Sequence, residues 1–168
     1  MSKVKNMMEW CLKKAKVEME KGEMHRGLVK IKSDKKLALE YLKKAEHNFE
    51  VFLYNKKGGF YDWTINIGFY VMYHCFLAII TKFGYESRNQ ECTLALIESL
   101  IENKKLDGDF KEYVEAIKYS SENKEEQIQK MREKYQYTPI IDIDKEKIEE
   151  LLGICQDILK DTKGVIEN

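Results

Sequence analysis

Residues 62–82 read DWTINIGFYVMYHCFLAIITK, and no charged side chain lies between Asp62 and Lys82. Ile65, Ile67, Phe69, Val71, Met72, Phe76, Leu77, Ile79 and Ile80 fall on every side of a 3.6-residue wheel. A helix that is apolar all round has to be buried, either among other helices or in a bilayer. The stretch is long enough to span a membrane. In a lone span, however, Asn66, Tyr70, Tyr73 and His74 would sit near the bilayer centre, where each polar group needs a partner. A soluble core helix from about Phe60 to Phe83, closed by Gly84, meets both demands.

The flanking sequence supplies what such a core helix packs against. From Val4 to Lys21 the residues Val4, Met8, Cys11, Leu12, Ala15 and Met19 share one helical face, with lysines and glutamates opposite. A second helix carries Leu37/Ala38, Leu42, Ala45, Phe49 and Phe52/Leu53 inward. Ser33 or Asp34 can cap its start, and Asn55-Lys-Lys-Gly-Gly59 ends it, since glycine takes the left-handed geometry that closes helices. Ser87-Arg-Asn-Gln90 reads as a capping box for a fourth helix running through Leu94, Ile97, Leu100 and Ile101. Leu106-Asp-Gly-Asp109 makes a turn before a short fifth helix marked by Phe110, Val114 and Ile117. Residues 121–135 have only the thin stripe Ile128, Met131 and Tyr135, a partly exposed helix. Thr138 to Ile143 is extended around the one proline, Pro139, and Asp144 caps a last helix with Ile148, Leu151, Leu152, Cys155 and Leu159 inside. The expected architecture is all-α, an antiparallel up-and-down bundle with a four-helix core plus extra helices. Few glycines and one proline argue against strands.

Composition narrows the function classes. The 168 residues fit one domain, and 29 basic side chains balance 29 acidic ones, so no bulk field draws the chain to nucleic acid or a membrane. A local basic site remains open in the connector His25–Lys36, where Arg26, Lys30 and Lys32 could meet phosphates or simply be solvated. Cys11, Cys75, Cys92 and Cys155 are far apart on or beside apolar stripes, with no metal-ligand spacing, and read as buried reduced thiols of a cytoplasmic protein. The polar N-terminus lacks a signal-peptide core. His47 falls off the apolar face of its helix, and His25 sits in the basic connector. No Gly-rich phosphate loop, GxSxG elbow or HExxH occurs, and no metal or cofactor is expected. The acidic runs Glu122–Glu126 and Asp142–Glu150 are solvated helix charges.

Asn66, Tyr70, Tyr73, His74 and Thr81 form a broken polar stripe on the central helix. It lines either a cleft or subunit interface, or a satisfied internal network.

The segments 36–48 (KLALEYLKKAEHN), 69–78 (FYVMYHCFLA), 83–87 (FGYES) and 131–137 (MREKYQY) resemble a prokaryotic HEPN domain. The resemblance covers roughly residues 35–160, leaving residues 1–34 as an N-terminal helix and basic connector within a single domain. It implies a helical bundle that dimerises and often works beside a small nucleotidyltransferase as a toxin–antitoxin pair. Nuclease members of that family carry an arginine followed after four to six residues by a histidine, for metal-independent RNA cleavage. Here Arg26, Arg88 and Arg132 have no histidine at that distance.

The expectation is therefore a non-catalytic or degenerate HEPN-like binding module, a cytoplasmic homodimer with a nucleotidyltransferase partner and no membrane. Its binding or interface residues are Asn66, Tyr70, Tyr73, His74 and Arg88. The alternative is a metal-independent ribonuclease or RNA-binding protein with a non-standard site, for which His74 and Arg88 are the catalytic candidates. A nucleotide in the inter-helix cleft is a third ligand to test.

Overall fold

A computed structural model describes residues 3–117 and 128–168. Seven helices and two short strands follow one another among them: α1 (Lys3–Glu20), β1 (Leu28–Lys30), α2 (Lys35–Gly58), α3 (Tyr61–Lys82), β2 (Tyr85–Ser87), α4 (Gln90–Glu102), α5 (Phe110–Ile117), α6 (Ile128–Tyr137) and α7 (Lys145–Glu167). The fold is a helical bundle with α3 at its centre, packed by α2, α7, α6 and α4.

The reason α3 is apolar all round is visible in its surroundings. Ile65, Val71, Met72, Phe76, Ile79 and Ile80 are fully buried although they point to different sides of the helix. Its most apolar window is 78% buried inside the protein, the position of a core helix and not of a lipid-facing span. Each such side chain withdrawn from water contributes about 1.5–3 kcal/mol before entropy is charged against it.

Local chemistry sets the helix ends. Asp34 Oδ1 accepts the Leu37 amide at 2.9 Å and starts α2. Gly59, at φ 78°, ends it, and the Phe60 amide donates back to the Asn55 carbonyl at 3.0 Å. The chain thus reverses tightly into α3, so α2 and α3 form an antiparallel hairpin. Helix α7 runs alongside α3 in the same direction. Its Leu151 meets Gly68 near the start of α3, and its Val165 carbonyl accepts from Lys82 Nζ near the end. Lys35 Nζ donates to the Glu167 carbonyl at 3.3 Å, so two lysines satisfy the last carbonyls of α7.

Several expectations change. The basic connector is not loop throughout: β1 pairs antiparallel with β2, Leu28 opposite Ser87 and Lys30 opposite Tyr85. Three residues per strand are too few for a pattern to show in sequence. The pairing depends on Gly84, whose φ of 81° turns the chain out of α3 so that its carbonyl accepts the Ile31 amide at 2.9 Å. Ser87 belongs to β2 and does not cap α4. Asn89 does, its Oδ1 accepting the Cys92 amide at 3.0 Å. Met19 and Leu53, expected inside, are 53% and 42% exposed.

The cysteine reading is corrected as well. Cys11 and Cys92 form a disulfide between α1 and α4, and only Cys75 and Cys155 are free and buried. Both apolar stripes were recognisable, but which stripes face each other is a property of the packing. The polar helix expected at residues 121–135 is described from Ile128 onward as α6, with Ile128 and Met131 buried. Residues 121–127, with the acidic run Glu122–Glu126, lie outside the described residues.

Candidate functional site

One face of the bundle gathers polar and aromatic groups from three helices. Tyr70 and His74 are one turn apart on α3, and Tyr41 and Asn48 are two turns apart on α2, so each pair shares a face. The hairpin brings them together: the His74 ring lies 6.5 Å from Tyr41 and 6.3 Å from Tyr70, centroid to centroid. Tyr73 is also 6.3 Å from His74, and its ring stacks on Phe69 at 6.0 Å. From α6, Arg132 places its guanidinium carbon 4.3 Å from the Phe69 ring centre and 5.9 Å from that of Tyr70. Its Nη1 donates to the Tyr70 hydroxyl at 3.5 Å. A guanidinium over an aromatic face is held by the ring quadrupole, worth about 0.5–2 kcal/mol depending on desolvation.

The protonation of His74 follows from its neighbours. Nδ1 lies 2.7 Å from the Tyr70 carbonyl oxygen and 3.2 Å from Asn48 Nδ2. A carbonyl only accepts, so the ring proton sits on Nδ1 and the lone pair on Nε2. Burial lowers the His74 pKa from its ordinary value. The Tyr70 carbonyl opposes this, and the positive charge of Lys44 on α2 reinforces it. The net shift favours the neutral imidazole. Tyr73 is shifted the other way: burial raises its pKa against the effect of Thr93, whose hydroxyl lies 3.4 Å from the phenol. Taken together, the face offers a cation, an exposed phenol and an imidazole lone pair, a set able to hold an anion and to accept a proton at Nε2.

The expected site residues separate into three places. Tyr70 and His74 lie in this cluster, with Tyr73 at its inner edge toward α4. Asn66 is buried and turns its amide to the Asp62 carbonyl, 2.9 Å away on its own helix. Arg88 is elsewhere. It follows β2, pairs with Glu86 at 2.9 Å, and shares that carboxylate with His25 Nε2 at 3.0 Å. His74 is eight residues before the end of α3, about 12 Å along the axis from the turn that leads to β2. Arg26, Lys30 and Lys32 are exposed on and around β1, apart from the cluster. His47 is exposed.

Tyr41, Asn48 and Arg132 were missed as site residues. The seven-residue spacing of Tyr41 and Asn48 was available in the sequence, but nothing local marks which face of α2 meets His74. Nothing near Arg132 in sequence marks it, because its partners come from 62 and 63 residues upstream. Among the described residues no three His, Cys, Asp or Glu side chains converge as metal ligands. The free thiols are buried and held in the protonated form: burial pushes Cys75 up to about 12 and raises Cys155 too.

The molecule is a helical bundle with a tyrosine- and histidine-bearing central helix and a small two-stranded sheet. The family model described as HEPN domain matches residues 38–165, and the chain belongs to the HEPN domain family. No curated protein and no solved structure matches it. Membership suggests an RNA-related or nuclease-like module.

Proposed function

We propose that this chain is a HEPN-type binding module that dimerises and acts with a nucleotidyltransferase partner in a toxin–antitoxin-type or other RNA-related system. The observation that carries this reading is the missing catalytic pairing: no histidine has an arginine four to six residues before it. His74 Nδ1 donates to the Tyr70 carbonyl one turn back on α3 and lies beside Asn48, as in a positioned structural side chain. The test is affinity purification of the tagged protein from its host, with light scattering and an RNA cleavage assay. A dimer that retains a nucleotidyltransferase and leaves RNA intact supports the reading. A monomer that captures no such protein overturns it.

One observation favours a second reading, a metal-independent ribonuclease or RNA-binding protein with a non-standard site. Arg132, Tyr70 and His74 bring a cation and an imidazole base to one face without any sequence motif. RNA cleavage in chelator, lost in both His74→Ala and Arg132→Ala while the helical circular-dichroism signal persists, would replace the first reading by this one.

A further inference from the structure

We propose that the Cys11–Cys92 disulfide is a redox latch: it holds α1 closed on α4, and its reduction frees α1 from a bundle that stays folded. The bond joins residues 81 apart in sequence and ties α1 to the body of the fold. The rest of the attachment is partial, with Met7, Met8 and Leu12 half-buried against the core. Of the 18 residues of α1 only Cys11 and Ala15 are buried, whereas Trp10, Val17 and Met19 are 40–53% exposed. The chief neighbours of α1 are α4 and β1, and it has no comparable contact with α2, α3 or α7. The family match begins at residue 38, so α1 and β1 both lie outside the matched region.

The packing around the bond is uneven. On one side, Gly27 lets the chain entering β1 lie directly on α1: a Cβ there would stand 2.4 Å from the Cys11 carbonyl oxygen and 2.9 Å from the Ala15 nitrogen. On the other, α1 and α4 gape around a cleft of about 750 Å3, with Val4, Met7 and Trp10 facing Leu94 and Ala95. The helices are thus not held by an interlocked apolar seam on that side, and the covalent bond supplies the closure. The core pairs α2–α3 and α3–α7 include no disulfide, because Cys75 and Cys155 are free.

The exchange needs only a dithiol reductant. One of its thiolates attacks a disulfide sulfur, forms a mixed disulfide and expels the other cysteine, which takes up a proton. The reductant's second thiol then closes on the mixed disulfide and releases the second cysteine. Two electrons and two protons pass to the protein, and the dithiol leaves as a disulfide. Both sulfurs are fully buried, so the attack goes through a local opening of α1. Once reduced, a lifted α1 uncovers Leu28 on β1 and widens the exposure of Leu94 and Ala95, which in the oxidised form only line the cleft.

The experiment compares the full chain, oxidised and after dithiothreitol, by intact mass, thiol alkylation and hydrogen exchange. Reduction is expected to add about 2 Da, to raise the alkylatable thiols of the unfolded chain from two to four, and to speed exchange in α1 at least about tenfold. Exchange in α2, α3 and α7 stays within about twofold. The Cys11→Ala/Cys92→Ala double variant matches the reduced protein with or without reductant, and the reduced wild type gives the same readout should that variant not fold. Four free thiols in the oxidised protein, unchanged exchange in α1 on reduction, or loss of protection in all helices together would each overturn the latch.

Discussion

Replacing Gly68 by alanine tests whether α3 and α7 are as close as the fold requires. On an ordinary helix the change would stabilise, since glycine is about 0.5–1 kcal/mol worse than alanine in a helix interior. Here a Cβ on residue 68 would stand 2.6 Å from Leu151 Cδ2, 3.0 Å from its Cγ and 3.2 Å from its Cδ1. Leu151 is 4% exposed and cannot swing into solvent, and the Cys155 thiol lies 3.7 Å from the Gly68 carbonyl oxygen one turn further on. Overpacking of this kind costs about 1–3 kcal/mol, so the clash outweighs the propensity gain and Gly68→Ala loses about 1 kcal/mol net. For a chain of this length that is a fall in Tm of about 3 °C. Calorimetry and urea titration measure it, and a cycle with Leu151→Ala isolates the cause. Leu151→Ala alone costs about 2–5 kcal/mol, and adding Gly68→Ala to it then costs nothing further or regains stability. A Gly68→Ala protein as stable as wild type or more so, or strict additivity in the double variant, would refute the close approach of these helices.

Two further outcomes follow from other parts of the fold. The lowered pKa of His74 means that below its unfolded value of about 6.5 the unfolded chain binds the proton more readily, so stability present at pH 7 declines as pH falls through that window. Urea midpoints between pH 7.5 and 5 should show a shallower acid slope in His74→Gln than in wild type, and identical slopes would remove the burial argument. In Gly27→Ala the new methyl meets backbone atoms of α1, which cannot yield without separating α1 from β1. Its tryptic cleavage within α1 should exceed that of wild type in reducing buffer, and equal cleavage would show that this contact does not seat the helix.

Much of the architecture was readable from local pattern. The uncharged stretch from Asp62 to Lys82 demanded burial, and the one-sided stripes of its neighbours supplied the cover. Asp34, Gly59, Gly84 and Asp144 act within a few residues of themselves, so the ends they set were legible without knowing the fold. The errors share one feature. Asn89 in place of Ser87 as the cap of α4, the β1–β2 pairing and the Cys11–Cys92 bond each depend on what a distant segment does. The candidate site divides the same way: Tyr70 and His74 lay in one recognisable stripe, but Arg132 joins them only because α6 packs on α3.

By itself, then, the sequence determined that the chain is helical, which helix is central, and where most helices begin and stop. Those properties follow from periodicity and from hydrogen bonds spanning three to five residues. Only the tertiary structure decided which cysteines pair, which polar residues turn back into their own helix, and which arginine stands beside Tyr70. Such choices depend on the relative placement of whole helices, and that is settled by side-chain interlock between segments tens of residues apart, of which no single segment carries a record.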